Sequence, residues 1–288
     1  MQNIVDEIND KLKDNFDFKK REIGLSGGAA TVFFMATLSD SNYISMYIIK
    51  PLTEYRDHII DFKSISEILQ TGPVGELKNA DDAVLRILFG DTVIALPFIN
   101  KLLFCETRQI NSRSIGKTEF DVSLKGSKES FNELIFDNIG LIRKRIISDS
   151  LKVLPYKLGK KSNTTAALVY LDGIAPPDLI KLIRDKLESL DTDYVLSINN
   201  ISEALKTDKS SFDTSGFSEK PDTLVSRLYE GRVAVIVEGS PFVLTVPSFF
   251  IENFQSSDDY YSNRFQTGLV RFIRISALIV SLTLPALY

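Results

Sequence analysis

The side chains that most often perform chemistry in proteins are scarce in this sequence. It contains one histidine, His58, and one cysteine, Cys105, among 288 residues. One His and one Cys cannot supply a His/Cys zinc site. A serine nucleophile would need His58 as its base, and the sequence contains no G-x-S-x-G turn to present such a serine. We therefore interpret His58, which stands beside Ile59 and Ile60 in a predicted helix, as a structural residue.

Two pairs of adjacent carboxylates are the remaining candidates for acid–base chemistry. They are Asp81 with Asp82, and Asp258 with Asp259. Neighbours in sequence do not converge as a general acid and base must, and negative charge at a helix N-terminus explains the first pair. The sequence thus predicts a protein that is not an enzyme and that uses no cofactor and no metal.

Two glycine–lysine turns resemble the end of a phosphate-binding loop. They are Gly116-Lys117-Thr118 and Gly159-Lys160-Lys161-Ser162. A P-loop requires a glycine five residues before the Gly-Lys pair, and those positions hold Asn111 and Leu154. Neither turn is therefore a P-loop. We interpret Lys160 and Lys161 as a solvated hairpin tip, with contact to lipid headgroups or a neighbouring subunit as the alternative.

Composition limits the class of protein and its partners. With 44% hydrophobic and 25% charged residues, the chain can build sizeable cores. Its net charge of −4 argues against nucleic acid as a partner, because phosphate binding rests on an excess of Lys and Arg. A single cysteine and an acidic N-terminus without an apolar run fit a reducing compartment and predict no secretory signal.

The last residues predict contact with a membrane. Residues 275–288 carry no charge and follow Arg264, Arg271 and Arg274. A spanning helix needs about 20 apolar residues, so we expect residues 263–288 to be a juxtamembrane segment and the start of a first transmembrane helix, interrupted at Tyr288. Positive charge is retained on the cytoplasmic side of membranes, so the preceding residues are predicted to be cytoplasmic.

The rest of the chain is predicted to be α/β, with two subdomains that contain mixed sheets. Residues 1–125 form the first subdomain, and its predicted helices are 5–12, 54–70 and 81–89, with strands at 31–38, 43–49, 92–96 and 102–106. A polar linker is predicted at 111–126.

Residues 126–262 form the second predicted subdomain. Its expected elements are a helix that begins at a capping box of Ser130 and Glu133, strands 152–157 and 166–171, a helix from Pro177, an exposed loop at 207–220, a helix at 222–229, strands 232–238 and 242–246, and a short helix from Phe249.

The two subdomains share a sequence pattern. Asp81-x-x-Val-x-Arg-Ile-x-x-Gly90 recurs as Asp222-x-x-Val-x-Arg-Leu-x-x-Gly231. In both copies a helix ends at a glycine, which readily adopts the left-handed conformation of a helix cap, and two strands follow. We interpret the subdomains as related, with chance convergence on a common helix–glycine–strand unit as the alternative.

A longer series of motifs resembles the spore germination receptor A-subunit family of the GerA type. The matching segments are Gly126-Ser-Lys-Glu-Ser-Phe-Asn-Glu133, Asn138-Ile-Gly-Leu-Ile-Arg-Lys-Arg-Ile146, Lys157-Leu-Gly-Lys-Lys-Ser162, Tyr170-Leu-Asp-Gly-Ile-Ala175, Glu219-Lys-Pro-Asp222, Leu228 to Val237, Gly239-Ser-Pro-Phe242, Val246-Pro-Ser-Phe-Phe250 and Asp258-Asp-Tyr-Tyr261. The resemblance covers about residues 126–288, while residues 1–125 match loosely. Ser130 and Lys220 depart from the expected pattern.

The resemblance implies a non-catalytic role in nutrient-triggered germination. Such subunits lie in the spore inner membrane with this domain on the cytoplasmic (core) side, beside companion receptor subunits, and are thought to form an oligomeric ion channel. We expect assembly as a homo-oligomer and signal transduction to the ion-conducting membrane part. The alternatives are a small-molecule binding module with a germinant cleft between the lobes, and a related sporulation membrane protein without a sensor role.

Nine positions carry these expectations. Partner or membrane contact is predicted for Arg143, Arg145, Arg264 and Arg271, with ordinary surface charge as the alternative for the first two. The structural motif is predicted to comprise Pro221, Asp222, Gly231, Gly239 and Pro241.

Overall fold

The computed structural model describes residues 2–55, 61–109, 129–206, 214–249 and 264–287. Several predicted features lie outside these ranges: His58, the linker at 111–126 with its Gly116 turn, Asp258 with Asp259, and all but the first residue of the helix predicted from Phe249. The boundary predicted at residue 125 also lies outside them and stays a prediction.

The N-terminal lobe is built on a five-stranded sheet in the order β1-β2-β4-β5-β3. Its elements are α1 (Gln2–Leu12), β1 (Phe18–Leu25), β2 (Gly28–Met35), α2 (Ser41–Ile44), a π-helix (Ser45–Ile49), α3 (Lys50–Glu54), α4 (Phe62–Ile68), β3 (Val74–Leu77), α5 (Ala80–Leu88), β4 (Thr92–Leu96), a 3-10 turn (Pro97–Ile99) and β5 (Lys101–Cys105). Helices cover both faces: α1 and α5 pack on one core, and α2, the π-helix, α3 and α4 pack on the other.

The C-terminal lobe has a second five-stranded sheet in the order β6-β7-β9-β10-β8. Its elements are α6 (Ile135–Arg143), β6 (Leu151–Leu158), β7 (Thr164–Leu171), α7 (Pro177–Glu188), α8 (Ile198–Leu205), β8 (Gly216–Ser218), α9 (Pro221–Tyr229), β9 (Val233–Val237) and β10 (Val243–Val246). Helices α6 and α9 cover one face, and α7 and α8 cover the other.

The two lobes repeat one topology, which confirms that the subdomains are related. In each sheet the strands, numbered within the lobe, lie in the order 1-2-4-5-3. Local hydrogen bonds repeat as well. Phe18 N donates to Asn15 O (3.1 Å) as Leu151 N donates to Ser148 O (3.3 Å). The turn of residues 15–17 is therefore equivalent to the turn of residues 148–150.

The prediction of mixed sheets is wrong, because the paired strands within both described sheets are antiparallel. β1–β2, β4–β5, β6–β7 and β9–β10 are hairpins, and tight connections of this kind join antiparallel strands. Helices connect β2 to β3, β3 to β4, β7 to β8 and β8 to β9. None of these strand pairs are neighbours in their sheet, so the helical connections do not generate parallel neighbours.

The strand predicted at 43–49 is helical instead. The side chain of Asp40 accepts hydrogen bonds from the backbone N–H groups of Asn42 and Tyr43 and so caps α2. Ile44, Ile48 and Leu52 recur at helical spacing and are fully buried. β-branched content favoured a strand, but the cap and the buried helical face decide the structure.

Four elements were absent from the sequence prediction. Strand β1 has four consecutive exposed residues, 19–22, and so lacks the apolar alternation of a strand. Strand β3 contains Gly75 and has only four residues. Helix α8 lies in a polar stretch, and β8 falls within the predicted loop at 207–220. Weak local patterns of this kind are fixed by packing on the neighbouring elements.

Helix α6 begins later than predicted, and the capping box of Ser130 and Glu133 is not formed. Its N-cap residue is Leu134, which provides no side-chain cap. The carbonyl oxygen of Asn132's side chain accepts instead from Leu134 N (2.8 Å), and the side chain of Glu238 accepts from Ile135 N (3.1 Å). A carboxylate from β9's end therefore serves the first turn of this helix.

The helix predicted for the last residues is confirmed as α10 (Arg264–Leu287), which carries large apolar side chains that are exposed, among them Phe272 and Leu284. Within the described residues, α10 included, we find no helix that combines the length and apolar character needed to cross a membrane.

Candidate functional site: the joint between the lobes

The two lobes meet where α6 and β6 contact the segment that connects α1 to β1. Helix α6 approaches the N-terminal lobe closely at Gly140. A β-carbon at Gly140 would lie 3.0 Å from the carbonyl oxygen of Thr37, so a larger residue there would push the helix away. The absence of a side chain thus permits the next turn of α6 to reach into the N-terminal lobe.

The turn of residues 15–17 covers the free edge of the C-terminal sheet. Phe16 N donates to Val153 O (3.1 Å), and Val153 N donates to the side-chain oxygen of Asn15 (3.2 Å). Asn15 and Val153 form a parallel bridge. An edge strand exposes unpaired backbone groups, and here the other lobe satisfies both backbone groups of Val153 in β6.

Arg143 connects the lobes through a buried ion pair. Its Nε donates to Asp17 Oδ2 (2.6 Å), and its Nη2 donates to Asp17 Oδ1 (2.7 Å) and to Asn15 Oδ1 (3.0 Å). The exposed fractions of the Arg143 and Asp17 side chains are 1% and 0%. Two parallel bonds between a guanidinium and a carboxylate fix orientation as well as distance.

Thr37 completes the surroundings of the Asp17 carboxylate. Its hydroxyl donates to Asp17 Oδ2 (2.6 Å), so that oxygen accepts from both lobes. The Nη1 group of Arg143 is buried without a hydrogen-bond partner in the described part of the chain. The guanidinium of arginine has five N–H donors, and the acceptors around Arg143 do not satisfy all of them. Breaking the ion pair would therefore cost much free energy, although the intact pair adds little to the net stability of the fold.

Two further contacts join the lobes. Lys152 of β6 donates from Nζ to the backbone oxygen of Lys11 (3.0 Å). The rings of Phe16 and Phe136 meet edge-on with centroids 5.2 Å apart. The joint therefore combines backbone pairing, a buried charge pair and an aromatic contact, and it holds the lobes in one register.

This geometry corrects the predicted role of Arg143. We predicted a contact with a partner or the membrane, but the side chain is buried between the lobes because α6 faces the N-terminal lobe at this turn. Arg145 is also engaged within the chain. It donates to Asp222 and, over 2.5 Å, to Glu129, and its side chain is 18% exposed. It connects the end of α6 to the start of α9.

Arg264 and Arg271 lie on α10. The side chain of Arg264 is outside the described residues, and Arg271 is half-buried. Their contact with a membrane or partner stays a prediction. Lys160 and Lys161 form the tip of the β6–β7 hairpin, as predicted, and each pairs with an aspartate of the 191–193 segment, at 2.5 and 2.7 Å.

The motif residues lie around α9 and β9. Pro221 occupies the first turn of α9, and Asp222 pairs with Arg145. Gly231 has φ of +86°, and a β-carbon there would lie 3.1 Å from the carbonyl oxygen of Ile174. Gly239 has φ of +83° with open space around it, and Pro241 follows in the turn before β10.

A cavity of about 550 Å³ lies beside α7. Its lining includes Tyr170, Asp172, Ile174, Lys181, Arg184 and Glu188, and every lining residue belongs to the C-terminal lobe. It is therefore not the predicted cleft between the lobes. Burial, together with the charge of Asp172, raises the pKa of Tyr170, so this phenol stays protonated at neutral pH.

Sequence reasoning missed Asn15, Asp17 and Thr37. Asp17 and Arg143 are 126 positions apart, and Asp17 stands in a segment that looks like an ordinary charged start. Of these positions and their partner, only Arg143 could have been recognised from the sequence. It continues the apolar stripe of Ile135, Ile139 and Ile142, and an arginine on a buried helix face requires a carboxylate partner.

Comparisons with known proteins place this fold in a family. The model of the Bacillus/Clostridium GerA spore germination protein matches residues 6–288, so the match extends through the N-terminal lobe. Spore germination protein KA of Bacillus subtilis (strain 168) is 31% identical over 300 residues, which cover 98% of this chain and 55% of that protein. Spore germination protein GerLA of Bacillus cereus is 30% identical over 292 residues, with coverage of 99% and 59%.

A solved structure agrees with these relatives. The crystal structure of the N-terminal domain of the A subunit of the Bacillus megaterium spore germinant receptor GerK3 matches with a TM-score of 0.64 and 27% identity, covering 85% of this chain and 94% of that chain. The chain spans about half the length of the curated relatives it matches. The resemblance expected from the motifs is confirmed: the chain belongs to the GerA spore germination protein family.

Proposed function

We propose that this chain is the N-terminal, two-lobed part of a germinant receptor A subunit and that it acts in assembly and signal transduction. It works beside companion receptor subunits in the spore inner membrane, on the cytoplasmic side, as a homo-oligomer coupled to an ion-conducting membrane part. Family membership supports the role in germination, and the exposed apolar side chains of α10, with the flanking arginines, support the position beside a membrane.

The buried pair of Arg143 and Asp17 is the observation that carries the transducing role. A bidentate, desolvated pair has few alternative geometries, so a displacement of one lobe must move the other or break the pair. Helix α10 follows the C-terminal lobe in the chain. A signal received by either lobe can thus be transmitted through the joint toward the membrane segment.

The test uses spores in which the gene that encodes this chain carries Arg143→Met. We expect nutrient-triggered germination, measured as loss of optical density, to be slowed at least tenfold. Lys144→Met is the matched control, because Lys144 is the next residue and is exposed. A wild-type rate with Arg143→Met protein present at normal amount would contradict a transducing joint and would favour a sporulation membrane protein without a sensor role.

Misfolding of the single variant is separated from lost coupling by a double variant. Asp17→Leu with Arg143→Met removes both charges, and apolar replacement of a buried pair is often neutral or stabilising. We expect this protein to accumulate normally while the nutrient response stays impaired. Recovery of germination by the double variant would assign the joint a purely structural role.

The cavity beside α7 supports a second candidate function, the binding of a small molecule by the C-terminal lobe. Its cationic and anionic side chains, Arg184 and Glu188 among them, suit a polar nutrient. A ligand at about 100 times its Kd would stabilise the native chain by about 2.7 kcal/mol. A thermal melt with amino acids, sugars and nucleosides, repeated on Arg184→Leu, tests this. A rise in Tm that Arg184→Leu abolishes supports it, and no rise with any compound contradicts it for this panel.

A further inference from the structure

The internal repeat provides a second pair of surfaces equivalent to those of the joint, and within the described residues these two surfaces do not contact each other. Within the chain, the turn of residues 15–17 contacts β6 at Val153. The equivalent turn of the C-terminal lobe is residues 148–150, and the equivalent strand of the N-terminal lobe is β1. Counting from the first residue of each strand, Val153 corresponds to Lys20.

The turn of residues 148–150 has the shape that the first turn uses at the joint. Asp172 N donates to Ser150 O (2.8 Å), as Ala36 N donates to Asp17 O (2.8 Å). The hydroxyl groups of Ser148 and Ser150 form a hydrogen bond of 2.7 Å, which stiffens the turn. Its three residues are half-buried, and the adjoining Ile147 is 40% exposed. The turn is thus preformed, accessible and flanked by an apolar side chain.

Strand β1 is the terminal strand of its sheet and is strongly basic. Residues 19–21 are Lys, Lys and Arg, all exposed, and Lys20 pairs with Glu22 over 2.8 Å. Lysines on an edge strand discourage indiscriminate pairing with other strands. A turn that carries a carboxylate, Asp149, meets such an edge with complementary charge.

We propose that β1 of one copy of this chain binds the turn of residues 148–150 of a second copy and so repeats, between chains, the contact that joins the two lobes. The interface is head-to-tail, and repetition closes into a ring or extends as a filament. Ser150 stands where Asp17 stands in the first lobe, so the buried ion pair is not repeated. The contact is accordingly weaker than the internal joint and sensitive to salt.

The role of this interface in receptor assembly rests on the proposed function, but the experiment that tests the interface does not depend on that function. Lys20→Cys is placed in one preparation of the chain and Asp149→Cys in another that carries a mass tag. The two are mixed in mild detergent and oxidised, and the mixed disulfide is measured on a non-reducing gel. The native Cys105 is fully buried and does not compete.

Lys63→Cys mixed with Asp149→Cys is the matched control, because the Lys63 side chain is 82% exposed and lies on α4. We expect at least tenfold more mixed dimer from Lys20→Cys than from the control. The yield should fall as added NaCl shortens the Debye length from about 10 Å at 0.1 M to about 3 Å at 1 M. Equal yields of mixed dimer from the two mixtures, or a higher yield of the Lys20→Cys homodimer than of the mixed dimer, would overturn the proposal. Either result leaves the spore test of Arg143→Met standing.

Discussion

At the scale of single residues, the pair of Arg143 and Asp17 contributes specificity more than stability. Both side chains lose their hydration on folding, and one guanidinium nitrogen gains no partner in the described chain. Removing one charge leaves the other buried and uncompensated, whereas removing both leaves an apolar contact. The two kinds of change must therefore have different consequences.

We expect Arg143→Met to lower the free energy of unfolding by about 3–5 kcal/mol, since it leaves the buried Asp17 carboxylate without its cationic partner. Asp17→Leu should cost a similar amount. The double variant should recover most of the loss, which urea denaturation of all four proteins measures. Additive losses, with no recovery in the double variant, would show that the two residues do not act as a pair.

Cys105 provides a second prediction at this scale. Burial raises the pKa of its thiol to about 11, opposed by a hydrogen bond from Thr71. The native state holds the thiol proton more tightly than the unfolded state, so the stabilising contribution is complete below the unfolded pKa and is lost as pH rises through the native value. At pH 8 we expect alkylation by iodoacetamide to be at least tenfold slower in the native chain than in urea. Equal rates would contradict the burial.

At the scale of elements, two glycines with the same backbone conformation have different surroundings. Gly231 and Gly239 both have positive φ, which costs other residues about 1–2 kcal/mol. Only at Gly231 would a side chain also meet a carbonyl oxygen, that of Ile174. We expect Gly231→Val to lower the melting temperature clearly more than Gly239→Val. Equal shifts would mean that the end of α9 yields to the added side chain.

The sequence predicts secondary structure well where an apolar pattern ends at a residue that terminates the element. The helix, glycine and two strands that begin at Asp81 and recur at Asp222 were recognisable because an apolar stripe ends at a residue suited to positive φ. The segment at 43–49 was misassigned because its β-branched residues fit a strand, and only Asp40 indicated the helix. Strand β1 was unrecognisable because it lies at an edge and exposes four consecutive residues.

The joint is the part of the candidate site that sequence could not provide. Pairing Asp17 with Arg143 requires knowing that the turn after α1 covers the edge of β6, a contact fixed by how two folded lobes dock. No periodicity encodes such a contact. The repeat did predict that two equivalent lobes exist, and two equivalent lobes imply that each surface of the joint has a counterpart elsewhere.

At the scale of the whole molecule, the joint decides whether the lobes unfold together. Each lobe has its own sheet with a core on both faces, so each can form a cooperative unit. The contacts at Asn15, Asp17 and Arg143 couple the two units. Because breaking them exposes buried charge, the loss of one lobe should destabilise the other.

We therefore expect differential scanning calorimetry of the chain in mild detergent to show one transition, whose calorimetric and van't Hoff enthalpies agree. Arg143→Met should separate it into two, because the lobes then melt at their own temperatures, and 1 kcal/mol moves the Tm of a domain of 60–100 residues by about 4–8 °C. Lys144→Met should leave a single transition. Two transitions in the unmodified chain would mean that the lobes unfold independently. This result would contradict the coupling of the two lobes through the joint.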